Sequence, residues 1–140
     1  MILLAGLMAG FVLGGFLYVF QQWTDISVYT LLMNVDYFPV LGSMYLPDWI
    51  EFSLHLLVST VVVWILYFLL KKKRLEQKLI PYLFYSSIIG LIIFPTTVLS
   101  VRTPEIDNIW AWVIWMSGHI VYGFSVWGML RLGKSLKVSV

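Results

Sequence analysis

Long apolar runs separated by short polar breaks dominate the chain, and each run has the length of a membrane-crossing helix. A hydrocarbon core about 30 Å thick needs roughly 20 helical residues at about 1.5 Å each. Residues 2–20, 49–70, 79–100 and 108–130 meet that requirement. The pattern therefore predicts an all-α fold: an integral membrane four-helix bundle in a single transmembrane domain, 1–140. The stretch 48–74, DWIEFSLHLLVSTVVVWILYFLLKKKR, anchors the reading, because its apolar run ends at four consecutive bases.

The connection 21–47 is too apolar for a solvated loop. It predicts a short helix near 26–33 and a segment broken at Pro39 and Gly42, lying at the outer interface or capping the bundle. The short turn 71–78 implies antiparallel neighbours on either side of it. Pro81 fits a first helical turn, whereas Pro95 falls inside its helix, frees the carbonyl of Leu91 and predicts a kink. Thr96 and Thr97 stand beside it to soften that kink. Gly6, Gly10 and Gly14 repeat every four residues, leaving one face of the first span without side chains. Such a face lets another helix approach closely in lipid. The alternative use of that face is room for a flat cofactor.

Composition and charge narrow the picture. The chain is 61% hydrophobic and 11% charged, with mean hydropathy +0.91, too apolar for a soluble domain of this length to bury. Of nine bases, only Arg102 lies outside the clusters at 71–78 and 131–137, and of seven acids only Glu76 lies inside either. Bases near spans resist translocation, so both the N- and C-termini are expected in the cytoplasm of a bacterial inner membrane. The first span lacks the basic start and small-residue cleavage site of a signal peptide, and is expected to be retained. This charge distribution builds no nucleic-acid groove. The absence of cysteine excludes disulfides and thiolate metal sites.

Ionisable groups inside a span are costly and mark functional candidates. Asp48, Glu51, His55 and Ser59 share a narrow arc of one helix, and Asn108, Trp115, His119 and Tyr122 share another. His55 lies about 10 Å below its helix start and His119 about 16 Å below, so the two imidazoles are expected to meet inside the bundle. Glu51 and His55, one turn apart, are placed to hydrogen-bond directly. Desolvation and mutual attraction act on such a pair in opposite senses, which suits proton exchange near neutral pH.

Three readings follow. In the first, Asp25, Asp48, Glu51, His55 and His119 form a polar path that moves or senses protons or a small ion. In the second, His55 and His119 are axial ligands of one b-type haem, the glycine face accommodating the porphyrin. In the third, the chain is a non-catalytic helical subunit of a larger membrane complex, or a homo-oligomer, contacting partners through its small-residue faces. Zinc lacks a supporting histidine spacing. No nucleophile motif, phosphate loop or hydrolase triad occurs, so no enzyme and no cofactor beyond the haem alternative is expected.

Several short pieces, in order, resemble the YagU family of bacterial inner-membrane proteins. They are GLMAG at 6–10 followed by Trp23 and Asp25, then His55, FP at 94–95, TP at 103–104, Asp107, and GH at 118–119 with bases soon after. The resemblance spans most of the chain except the outer connection, which is longer in that family. It implies an inner-membrane location and a link to acid tolerance, and it supplies no catalytic residues. An intramembrane His/Glu pair is compatible with that link, so a proton-handling role leads.

Overall fold

The computed structural model describes residues 1–35 and 46–138, the last five of these by backbone alone. Pro39 and Gly42 lie outside the described residues. The helices are α1 (Ile2–Thr24), α2 (Val28–Met33), α3 (Asp48–Lys72), α4 (Leu79–Ile93) and α5 (Ile109–Val138), with a 3-10 segment, Phe94–Leu99, continuing α4. Four of them are long and apolar enough to cross a membrane: Ile2–Thr24, Asp48–Lys72, Leu79–Leu99 and Ile109–Gly133. The chain is a multi-pass, all-helical membrane protein. Its exposed surface is what lipid requires, with Leu3, Phe11, Trp64, Phe84, Ile92 and Phe124 all on the outside.

Local chemistry sets the helix ends. α1 stops at Asp25, whose left-handed backbone (φ 56°) lets its N–H bond Gln21 O. Gln21 then does a second job. Its side-chain oxygen accepts the N–H groups of Tyr29 (2.8 Å) and Thr30 (3.0 Å), capping α2 from the preceding helix. Ser27, at the cap position itself, makes no such bond. Asn108 caps α5 by accepting the Ala111 N–H at 3.1 Å. Pro95 does not end its span: the backbone tightens to 3-10 pitch at Phe94, and the Thr96 hydroxyl donates to Ile93 O at 2.7 Å. The predicted proline effect therefore takes the form of a change in pitch. Thr97 takes no part through its hydroxyl, which is enclosed without a partner.

α1 lies between α3 and α5, and α5 lies between α1 and α4. The glycine face of α1 packs on α3 as the four-residue repeat predicts. A Cβ on Gly6 would lie 2.5 Å from Thr60 Cα, one on Gly10 2.9 Å from Leu56, and one on Gly14 2.8 Å from the Phe52 ring. On the other seam, a Cβ on Gly123 would meet Tyr82 O at 2.9 Å and Leu83 Cα at 3.1 Å. The core runs through the middle of this arrangement, with Leu17, Val63, Leu70, Tyr82, Phe94, Trp115 and Val126 fully enclosed.

α3 and α4 are joined by the short turn 73–78 and run antiparallel, yet they scarcely touch. α5 holds that turn in place: Trp127 Nε1 donates to Gln77 O at 3.0 Å. The bundle is therefore closed on three seams and open along the fourth. Met1 and the last described turns of α5 lie at the end of the bundle that carries the 71–78 bases, since Met1 packs against Gly133. Arg102, in the turn between α4 and α5, sits at the opposite end with α2 and the start of α3.

Candidate functional site

A cavity of about 460 Å³ opens between α2, α3, α4 and α5 in the half of the bundle nearer Arg102. Its walls are chiefly apolar, but Asn34, Glu51, His55, Thr96 and His119 all reach it. The sequence arcs thus bring Glu51, His55 and His119 to one place. Asp25 and Asp48 are not part of it. Both are exposed at helix ends, Asp25 as the terminator of α1 and Asp48 in the first turn of α3, where a negative charge suits the helix dipole.

Glu51 departs from the expected pairing with His55. Its Oε1 lies 3.5 Å from Arg102 Nη2, and the same guanidinium nitrogen donates to Asn34 Oδ1 at 3.3 Å. The Glu51 side chain is only 10% exposed and that of Arg102 is 48% exposed, so the pair joins a nearly buried acid to a half-solvated base. The physical reason is electrostatic. A carboxylate inside an apolar segment gains more from a cation than from a neutral ring. Two oddities of the sequence pointed there together: one acid within a span, and one base at the otherwise acidic end.

His55 bonds to the neighbouring backbone. Its Nε2 is 3.1 Å from Gly10 O. One turn further along, Ser59 Oγ donates to Gly6 O at 2.7 Å. The two bonds pin antiparallel α1 and α3 in register, each using a carbonyl that a glycine leaves accessible. With Ser59 spending its hydrogen on Gly6, the Tyr122 hydroxyl is the donor to Ser59, 3.0 Å from Oγ and 3.2 Å from the carbonyl. This cross-link ties α5 to α3 directly beneath the two imidazoles.

His119 is 3% exposed and its Nδ1 lies 3.0 Å from Trp115 O. Its ring packs on Gly90, where a Cβ would come within 2.7 Å of it. The Trp115 ring lies beside it, tilted by 45° with centroids 4.6 Å apart, and donates its indole N–H to Gly90 O at 2.9 Å. Gly90 thus serves twice, as empty space for one ring and as an acceptor for the other. Neither role shows in a hydrophobicity pattern.

The tautomers follow from these partners. A carbonyl oxygen can only accept, so the ring nitrogen facing it must carry the hydrogen. His119 is therefore protonated on Nδ1 and His55 on Nε2. In the neutral rings, His119 Nε2 and His55 Nδ1 are left as lone-pair acceptors with no protein partner. Neither belongs to the fully enclosed polar atoms lacking a partner, and both residues line the cavity.

The flat space that a porphyrin would require beside Gly6, Gly10 and Gly14 is filled by Phe52, Leu56, Ser59 and Thr60. Among the described residues no cluster of His, Asp or Glu could hold a metal ion. Outside the membrane spans, Tyr29 is the one shifted group among the described residues: burial, then the charge of Asp48, pushes its phenol up from the ordinary value of 10.0.

Fold and site together define a small multi-pass helical membrane protein with a partly polar cavity in one half of its bundle. No protein-family model matches the chain, and neither a curated protein nor a solved structure does.

Proposed function

We propose that this chain is a proton-responsive protein of the bacterial cytoplasmic membrane, related to the YagU family and linked to acid tolerance, with Glu51, His55 and His119 as the responding groups. The observation that carries the reading is the convergence of these three side chains on one cavity inside the apolar bundle. Each imidazole already donates its one N–H to a carbonyl, so an added proton goes to its other ring nitrogen. That converts an acceptor into a donor and places positive charge beside an acid whose charge Arg102 already balances. Two such charges in one apolar space repel, and the cheapest relief is movement along the open α3–α4 seam.

The core favours response over conduction. Between the Ser59–Tyr122 cross-link and the basic end, Val63, Leu66, Val126, Leu70 and Leu130 are buried, and among the described buried residues there the only ionisable groups are the phenols of Tyr67 and Tyr82, with no acid, base or histidine. The bases at 71–78 and 131 support an orientation with that end, and both chain ends, in the cytoplasm.

The test uses protein in liposomes, with intrinsic fluorescence and proton flux followed from pH 8 to pH 3. Trp115 lies against His119, with ring centroids 4.6 Å apart, and is expected to report its charge. Wild type is expected to show a fluorescence transition that His119→Gln abolishes and His55→Gln shifts, without steady flux. A flat fluorescence profile in wild type, or the same transition in both variants, defeats the proposal. Orientation is checked separately, because the chain has no cysteine of its own. A single cysteine at Glu105 should react with an impermeant thiol reagent added outside the cell, and one at Lys73 should not.

A further inference from the structure

The cavity has a second property that proton response does not require. Val58 lines it and is nevertheless 57% exposed, so the cavity reaches the lipid-facing surface of α3. Leu54 and Val58 form one lip and Ile93 and Thr96 the other, on two helices that scarcely meet. A molecule dissolved in the bilayer can therefore enter sideways without crossing water. The volume of about 460 Å³ falls within the usual range for small-molecule sites, about 300–1,000 Å³, and the lining of apolar walls with few polar groups is also usual.

The polar groups define what can enter. His119 Nε2 and His55 Nδ1 are both acceptors in the neutral rings, because their partner nitrogens are committed to Trp115 O and Gly10 O. Glu51, paired with Arg102, also accepts. An acceptor-rich interior selects a ligand with a hydrogen to give. The rings of Trp115 and His119, with centroids 4.6 Å apart and planes tilted by 45°, add an aromatic wall. We propose that this cavity binds a neutral, lipid-soluble phenol or hydroquinone, its hydroxyl donating to the imidazole acceptors and its hydrocarbon tail leaving between α3 and α4.

The inference is independent of proton response, since an acceptor nitrogen can take a hydroxyl hydrogen whether or not it later titrates. It is tested at pH 8 in lipid nanodiscs with 4-dodecylphenol and its methyl ether, which has the same shape and no donor, by equilibrium quenching and native mass spectrometry. The expected result is saturable one-to-one binding of the phenol, with the ether at least tenfold weaker. His119→Phe should reduce that preference severalfold. Val58→Trp, a change on the lipid-facing lip that leaves the core packing intact, should weaken the phenol tenfold or more. Equal binding of phenol and ether to wild type overturns the donor assignment. Absence of saturable binding overturns the site itself, and unaltered binding to Val58→Trp overturns the lateral entry. A chain that binds the phenol but shows no fluorescence transition with pH leaves this inference standing while removing the proposed function.

Discussion

α3 meets its two flanking helices in opposite ways, and the contrast explains where the cavity lies. Against α1 the approach is close enough for backbone and short side chains to touch, because α1 presents Gly6, Gly10 and Gly14 in succession. Toward α4, α3 presents Leu54 and Val58 and contains no glycine. In lipid no hydrophobic force pulls apolar faces together, so association depends on close packing and hydrogen bonds. The α1 seam has both, through His55 and Ser59 bonding glycine carbonyls. The α4 seam has neither and stays open. Continuity of chain places two helices side by side, but small residues decide whether they close.

Filling the tight seam should have the largest effect. Gly6→Leu drives a side chain into the Thr60 backbone, and a loss of about 3 kcal/mol is expected from overpacking, measured by reversible unfolding in mixed micelles. If Gly6→Leu is as stable as wild type, α1 and α3 are not in this register.

Arg102→Ala comes next. It strands the nearly buried Glu51 carboxylate, and with Arg102 half in solvent the expected cost is about 1–2 kcal/mol. Glu51→Gln should cost less, since an amide tolerates burial better than an unpaired charge. Equal losses from the two would show that the ion pair does not matter to the open half.

Trp115→Phe keeps an aromatic ring beside His119 but removes the bond to Gly90 O and leaves a small cavity in the core, for about 1–2 kcal/mol in the same assay. Gly15→Ala sharpens the comparison from below. A Cβ there meets nothing within 4 Å, so stability should stay level or rise by up to about 1 kcal/mol from helix propensity. A large loss at Gly15 would mean that α1 is rotated about its axis.

The features that repeat were readable from the sequence. Apolar length fixed the spans, although α1 runs past Phe20 to Thr24. The four-residue glycine spacing fixed the face of α1 that carries α3. The shared arcs placed Glu51 and His55 on one wall and His119 on another, with Ser59 and Tyr122 meeting below. What could not be read depends on which helices touch. The partner of Glu51 comes from the turn between α4 and α5, and the partner of His55 is a backbone oxygen on α1. Backbone acceptors carry no signature in side-chain patterns. The open seam was hidden for the opposite reason, because the short 73–78 turn argues for contact that the side chains do not supply.

The switch of pitch at Phe94 has a consequence for reach. Leu79–Leu99 is the shortest of the crossing segments at 21 residues, and an unbroken α-helix of that size would extend about 31 Å, barely the thickness of the apolar slab. Winding its last stretch at the longer rise per residue stretches it to about 34 Å. That added height is what lifts the following turn level with the top of α3, so a proline four residues from the end of its span helps to determine whether a guanidinium can stand beside its acid at the rim.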